Sequence, residues 1–148
     1  ENDVFYQAKV HCAKASNLLI ASKNSLHDDI DILYAILLRY EGKLNDSVEL
    51  LKKVLDNQLK HLVPDKTCQT ALELGAIYRE LTRCDDAMTV YEKIENTCIL
   101  SAYWNARLKL NTGIILKNRL QLRISAGNVS FLNLFTIMPK HVTMFCCS

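Results

Sequence analysis

The sequence predicts an all-α fold of stacked antiparallel helical hairpins, on three observations. Gly42 to Leu55 (GKLNDSVELLKKVL) is echoed forty residues later by Thr82 to Glu95 (TRCDDAMTVYEKIE). Laid one over the other, Ser47 falls on Ala87, Leu51 on Tyr91 and Val54 on Ile94, a small residue followed at +4 and +7 by residues that pack. That spacing is one face of a helix. Upstream, Tyr34, Ala35 and Leu38 fall on Leu74, Gly75 and Tyr78, a large residue, a small one and a large one. Each copy therefore reads as a helix, a short turn and a second helix, with small side chains where the two approach. The 148 residues also hold only four glycines and two prolines, with 49% hydrophobic residues, which disfavours a turn-rich β protein.

The elements follow in order. Asn2 or Asp3 can cap a first helix running to about Ser22, with Phe5, Ala8, Cys12, Ala15 and Leu19 on one stripe. It reads either as the second helix of an incomplete preceding hairpin or as a capping helix. After the polar link Lys23 to Leu26, acids at Asp28, Asp29 and Asp31 crowd the start of a second helix ending near Tyr40, where free amides and the macrodipole favour them. A third helix is expected from Asn45 to about Leu62, with Glu49 and Lys53 as an i,i+4 pair. Pro64 breaks it, and Asp65 is placed to begin the next cap. Helices from about Thr67 to Leu81 and from Asp85 to about Asn96 complete the second copy, and Ser101 to Leu116 is again helical in pattern. Leu120, Leu122 and Ile124 either continue as a short helix or, alternating with Gln121 and Arg123, read as a strand. Residues 1–126 are taken as the repeat domain and 127–148 as a divergent apolar tail, read either as an abnormal terminus or as a hydrophobic helix closing the array.

The run Leu74-Gly75-x-x-Tyr78, with Ala87 nine residues beyond Tyr78 and Tyr91 four beyond that, resembles the tetratricopeptide (TPR) repeat. The first copy is looser, with Tyr34-Ala35 for Leu-Gly and Ser47 for the usual alanine, yet Gly42-Lys43-Leu44-Asn45-Asp46 is similar to a turn of that family. The resemblance covers about residues 28–95 and implies a short right-handed α-solenoid. The forty-residue period exceeds the family's roughly 34. The surplus is expected between Asn57 and Thr70, around Pro64, and the period also suits related helical-pair arrays.

Such repeats hold an extended or helical peptide along the surface made by successive first helices. Carried onto this sequence, the resemblance places Asp29, Ile32, Ile36 and Arg39 inward in the first copy and Gln69, Leu72, Ala76 and Arg79 in the second. Arg39 and Arg79 would offer guanidinium forks to carboxylates or phosphates, unless each pairs locally with Glu41 or Glu80 or faces water. Members that clamp a C-terminal carboxylate use Lys and Asn where this chain has Ile32, Ile36 and Glu73, so that clamp is not expected. The implied partner is a peptide or amphipathic helix with acidic flanks, within a larger assembly, and no cofactor is implied.

Charge offers a rival. Residues 1–95 hold all sixteen acids against twelve Lys and Arg, whereas 96–148 hold six Lys and Arg and no acid. Arg107, Lys109, Lys117, Arg119 and Arg123, with Tyr103 and Trp104 as stacking groups, could contact nucleic acid.

Catalytic signatures are scarce. The glycines are isolated, so there is no phosphate loop, and neither a Gly-x-Ser-x-Gly elbow nor a His-Glu-x-x-His occurs. Cys68 near His61 lacks a third group, and His27 with its neighbouring aspartates points several ways on a helix, so neither an enzyme nor a metal site is expected. The six cysteines show no Cys-x-x-Cys, which favours reduced thiols in the cytoplasm or nucleus over a disulfide framework. No apolar run approaches the roughly 20 residues that cross a bilayer.

Overall fold

The computed structural model describes residues 2–19 and 26–126, and the tail predicted from residue 127 lies outside them. They form six helices: α1 (Asn2–Leu19), α2 (Leu26–Tyr40), α3 (Leu44–Lys60), α4 (Pro64–Glu80), α5 (Cys84–Thr97) and α6 (Ala102–Ser125). Among the described residues there is no strand. Each helix packs on the next in the chain, and α4 also reaches α6, an arrangement compatible with a helical repeat. Alternate helices face one another through longer side chains. Lys66 bonds Asp29 at 2.8 Å from α4 to α2, and Lys93 bonds Asp56 at 3.1 Å from α5 to α3.

Three turns of one kind set the rhythm. The N–H of Lys43 donates to the Leu38 carbonyl and that of Gly42 to Arg39; Val63 and Leu62 repeat this toward Gln58 and Leu59, and Arg83 and Thr82 toward Tyr78 and Arg79. Each is a helix end closed by a left-handed residue, the Schellman arrangement. The left-handed residues are Gly42 (φ 77°), Leu62 (φ 51°) and Thr82 (φ 57°), twenty residues apart. Glycine adopts this geometry freely, whereas Leu62 and Thr82 are held there at a cost of about 1–2 kcal/mol each.

These turns show what form the surplus residues expected between Asn57 and Thr70 take. α3 continues to Lys60 and α4 starts at Pro64, so the extra residues lengthen the helices. Pro64 is tolerated at the first helical position, where its missing N–H would have no intrahelical partner. Asp65 does not cap; Val63 is the cap residue and no side chain bonds there. Glu49 pairs with Lys52 at 3.0 Å, one residue short of the expected Lys53. The strand alternative for 120–124 also falls, because α6 runs unbroken through Ser125.

The core is centred on the small-residue contacts. Ala35, Ser47 and Ala87 are fully buried, and Gly75 is buried with them. In the first hairpin Ser47 Oγ donates to the Ala35 carbonyl at 2.6 Å, tying α3 to α2. In the second, the Tyr91 ring lies on Gly75: a Cβ built there would fall 2.0 Å from Oη and 2.4 Å from Cζ. Ala35 and Leu51, which align with Gly75 and Tyr91, are fully buried in the same core, so the second hairpin gives up a methyl group where it gains a ring. The outer elements are less committed. The stripe Phe5, Ala8, Cys12 and Ala15 of α1 is half-buried, and α6 buries only Leu108 and Ile115.

Replacing Leu62, which is 74% exposed, by glycine should relieve the left-handed strain without loss of packing. It is expected to raise stability by about 1 kcal/mol, seen as a thermal midpoint higher by about 2–4 °C. Gly75→Ala should instead destabilise the fold by about 1–3 kcal/mol through overpacking. Adding Tyr91→Leu, which recreates the Ala35 and Leu51 pair, should recover most of that loss in urea melts. A second-site change without recovery would refute the exchange described above.

Candidate functional site

The eight positions expected to line a groove lie along α2 and α4, and their surroundings divide them. Ile32 and Leu72 are 7% and 8% exposed and belong to the core, with Ile36 half-buried against it. Gln69 is exposed and Ala76 half-buried. Asp29 is engaged by Lys66. Arg39 donates from Nε to Glu80 at 2.9 Å and from Nη2 to the same carboxylate oxygen, with Glu73 at 3.6 Å. The Glu80 hydrogen bond holds the Arg39 guanidinium above its ordinary value, with burial opposing. The expected local pairs do not form among the described residues: Arg39 reaches across from α2 to Glu80 on α4, and Glu41 is held by Lys9 and Lys43, whose hydrogen bonds keep its carboxyl below the usual range.

Arg79 has different surroundings. It lines a cleft of about 200 Å³ at the far end of α4, with Thr82, Cys84 and the α6 residues Asn118, Gln121 and Ser125. A larger opening of about 400 Å³ lies between α1 and α2, among Lys9, Cys12, Ser16, Ile30, Asp31 and Tyr34. Burial raises the Asp31 carboxyl there, while Lys53 and His27 oppose the shift.

The basic set on α6 is spread around the helix. At about 100° per residue, Arg107 and Lys109 point about 200° apart, as do Lys117 and Arg119. Two of the five are already paired, Lys109 with Glu95 at 2.8 Å and Arg119 with Asp85 at 3.0 Å. Arg107 lies over Trp104 and Tyr103 at 5.4 and 5.8 Å, so both expected stacking rings already carry a cation.

Sequence reasoning named Glu80 as a partner for the arginines but missed Glu73 beside Arg39 and Lys66 on Asp29. Asp29 meets Lys66 and Asp56 meets Lys93, both thirty-seven residues on. That shared offset was the available signal, because it joins alternate helices of a forty-residue repeat.

Cys68 and His61 do not form a working pair. His61 is exposed at the C-cap of α3, whereas Cys68 is fully buried with Sγ 3.8 Å from the Trp104 carbonyl. Burial pushes the Cys68 thiol from 9.0 up to about 11, away from the nucleophilic thiolate. The acids after His27 disperse to separate partners, Asp28 to Asn57 and Asp29 to Lys66. Among the described residues no three His, Cys, Asp or Glu gather as for a metal ion. Among them, too, no helix is long and apolar enough to cross a membrane.

No family model matches the chain, and no curated protein or solved structure compared with it does so.

Alkylation with iodoacetamide at pH 8, read peptide by peptide, should label the half-buried Cys12 and Cys98 in the folded protein and spare Cys68 until denaturant is added. The raised Cys68 value also sets a pH trend. Its stabilising share is complete below the unfolded value of 9.0 and is lost as pH rises through about 11. Melting points should fall across that window, and less steeply in Cys68→Ala; equal slopes would remove Cys68 as the cause.

Proposed function

We propose that the chain is a TPR-like scaffold, a short right-handed α-solenoid whose first helices present a surface to a peptide or amphipathic helix of a protein partner in a multi-subunit assembly. One observation carries this reading. α2 and α4, the first helices of two hairpins of matching sequence, are joined directly at both ends by Asp29 with Lys66 and by Arg39 with Glu80. Gln69 is exposed between those links, with Ile36 and Ala76 half-buried, a shallow apolar strip edged by charge. Such a strip suits the apolar face of a helix with polar flanks. Cys12, Cys68, Cys84 and Cys98 are free thiols, which favours the cytoplasm or nucleus as the compartment.

Placing a photo-crosslinking residue at Gln69, and separately at the exposed Glu92 of α5, tests the assignment. The Gln69 probe should yield a discrete protein adduct that Ala76→Arg abolishes while the melting curve is retained, and the Glu92 probe should not. Equal adducts from both positions would sink the groove. Adducts from Gln69 that disappear on nuclease treatment would favour nucleic acid instead.

A further inference from the structure

The Arg79 cleft stands out when the two copies are compared. Arg39 and Arg79 are equivalent at the forty-residue offset, yet only Arg39 has counter-charges, Glu73 and Glu80. One repeat further on, those positions are Gly113 and Leu120. The repeat offset thus supplies Arg79 with no equivalent of those carboxylates, and Arg79 makes no ion pair among the described residues. Nearby acids do not replace them. Asp85 is taken by Arg119 at 3.0 Å and Asp86 by Arg83 at 2.6 Å, and no carboxylate lines the cleft.

What remains is a half-buried arginine lining a cleft whose α6 wall includes Asn118 and Gln121. Arginine offers five N–H donors in a flat fork and no acceptor, and each amide adds two more donors. An arginine with no counter-ion keeps its donors available for one. Its geometry matches a planar or tetrahedral oxyanion with two parallel hydrogen bonds. About 200 Å³ admits such a group with a few attached atoms.

We infer that this cleft is an anion-binding site for a carboxylate, presented by a side chain or chain end of the partner protein. The ligand's carboxylate takes the place that Glu80 fills beside Arg39. Assigning that carboxylate to a protein rests on the scaffold reading above; the preference of the cleft for an anion does not.

The test is an NMR titration of the full chain with N-acetylglycine, with its neutral counterpart N-acetylglycinamide and with inorganic phosphate, following arginine Nε–H and side-chain amide signals. N-acetylglycine should shift Arg79, Asn118 and Gln121 saturably, and N-acetylglycinamide should not. Arg79→Gln should abolish the response and Arg39→Gln should leave it intact. Gln121→Glu sets a carboxylate of the chain's own in the wall of the cleft and should weaken the response at least tenfold. Unsaturable shifts shared by Arg79, Arg83 and Arg123, or an unchanged response in Gln121→Glu, would overturn the site. Saturation by phosphate alone would overturn the carboxylate assignment. A saturable Arg79 response in a chain whose Gln69 probe captures no protein would remove the scaffold and leave the anion site standing; the opposite pair of results would remove only the site.

Discussion

The closeness of paired helices at their small side chains is the constraint on which the rest of the molecule depends. Ser47 bonds directly to the backbone of Ala35, and Gly75 leaves room for the Tyr91 ring against its own backbone. Protein interiors are packed at near-crystalline density, so space at such a contact must be filled by a neighbour or given up. The two hairpins fill it differently. Leu51 and Ala35 are both fully buried in one, and in the other Tyr91 reaches across a glycine, its hydroxyl so buried that it is pushed up to about 12. A change on one helix is therefore felt on its partner, and the forty-residue echo in the sequence records this shared geometry.

Length is the second constraint. The left-handed closures at positions 42, 62 and 82 give α3 and α4 seventeen residues each and keep successive helices antiparallel. The rhythm changes after α5, where Cys98 leaves the helix in an extended conformation and Ser101 caps α6 without a side-chain bond. α6 then runs for twenty-four residues with no acid anywhere along it. Its cations instead reach back to acids on α5. The charge imbalance between the two parts of the chain is thus partly cancelled where they meet.

Much of this fold could be read from the residues, because a helix buries one face and the spacing of Ser47, Leu51 and Val54 declares which. The class, the hairpins and the small-residue contacts follow from that periodicity alone. The turn around Pro64 did not, since leucine at position 62 carries no mark of left-handed geometry and proline is as much at home in a first helical turn as in a loop. α6 was ambiguous beyond Leu116 because alternation over five residues fits a strand as well as a helix, and only the continuing packing decides. The site was less legible. Its residues could be placed on helices, but whether Ile32 ends in the core, or which arginine keeps a counter-charge, depends on contacts between alternate helices that no local pattern reports.

Because every packed interface but one joins neighbours in the chain, no long loop has to close before burial begins. α3 and α4 each have a helix on both sides, while α1 contributes only half-buried side chains and α6 anchors at two points. Resistance to opening is consequently graded along the molecule: amides in the middle would exchange with solvent hydrogens last and those toward either end first. A partner lying across several helices would add most to the order of the loosest segments, so its grip would be felt as a stiffening of the extremities.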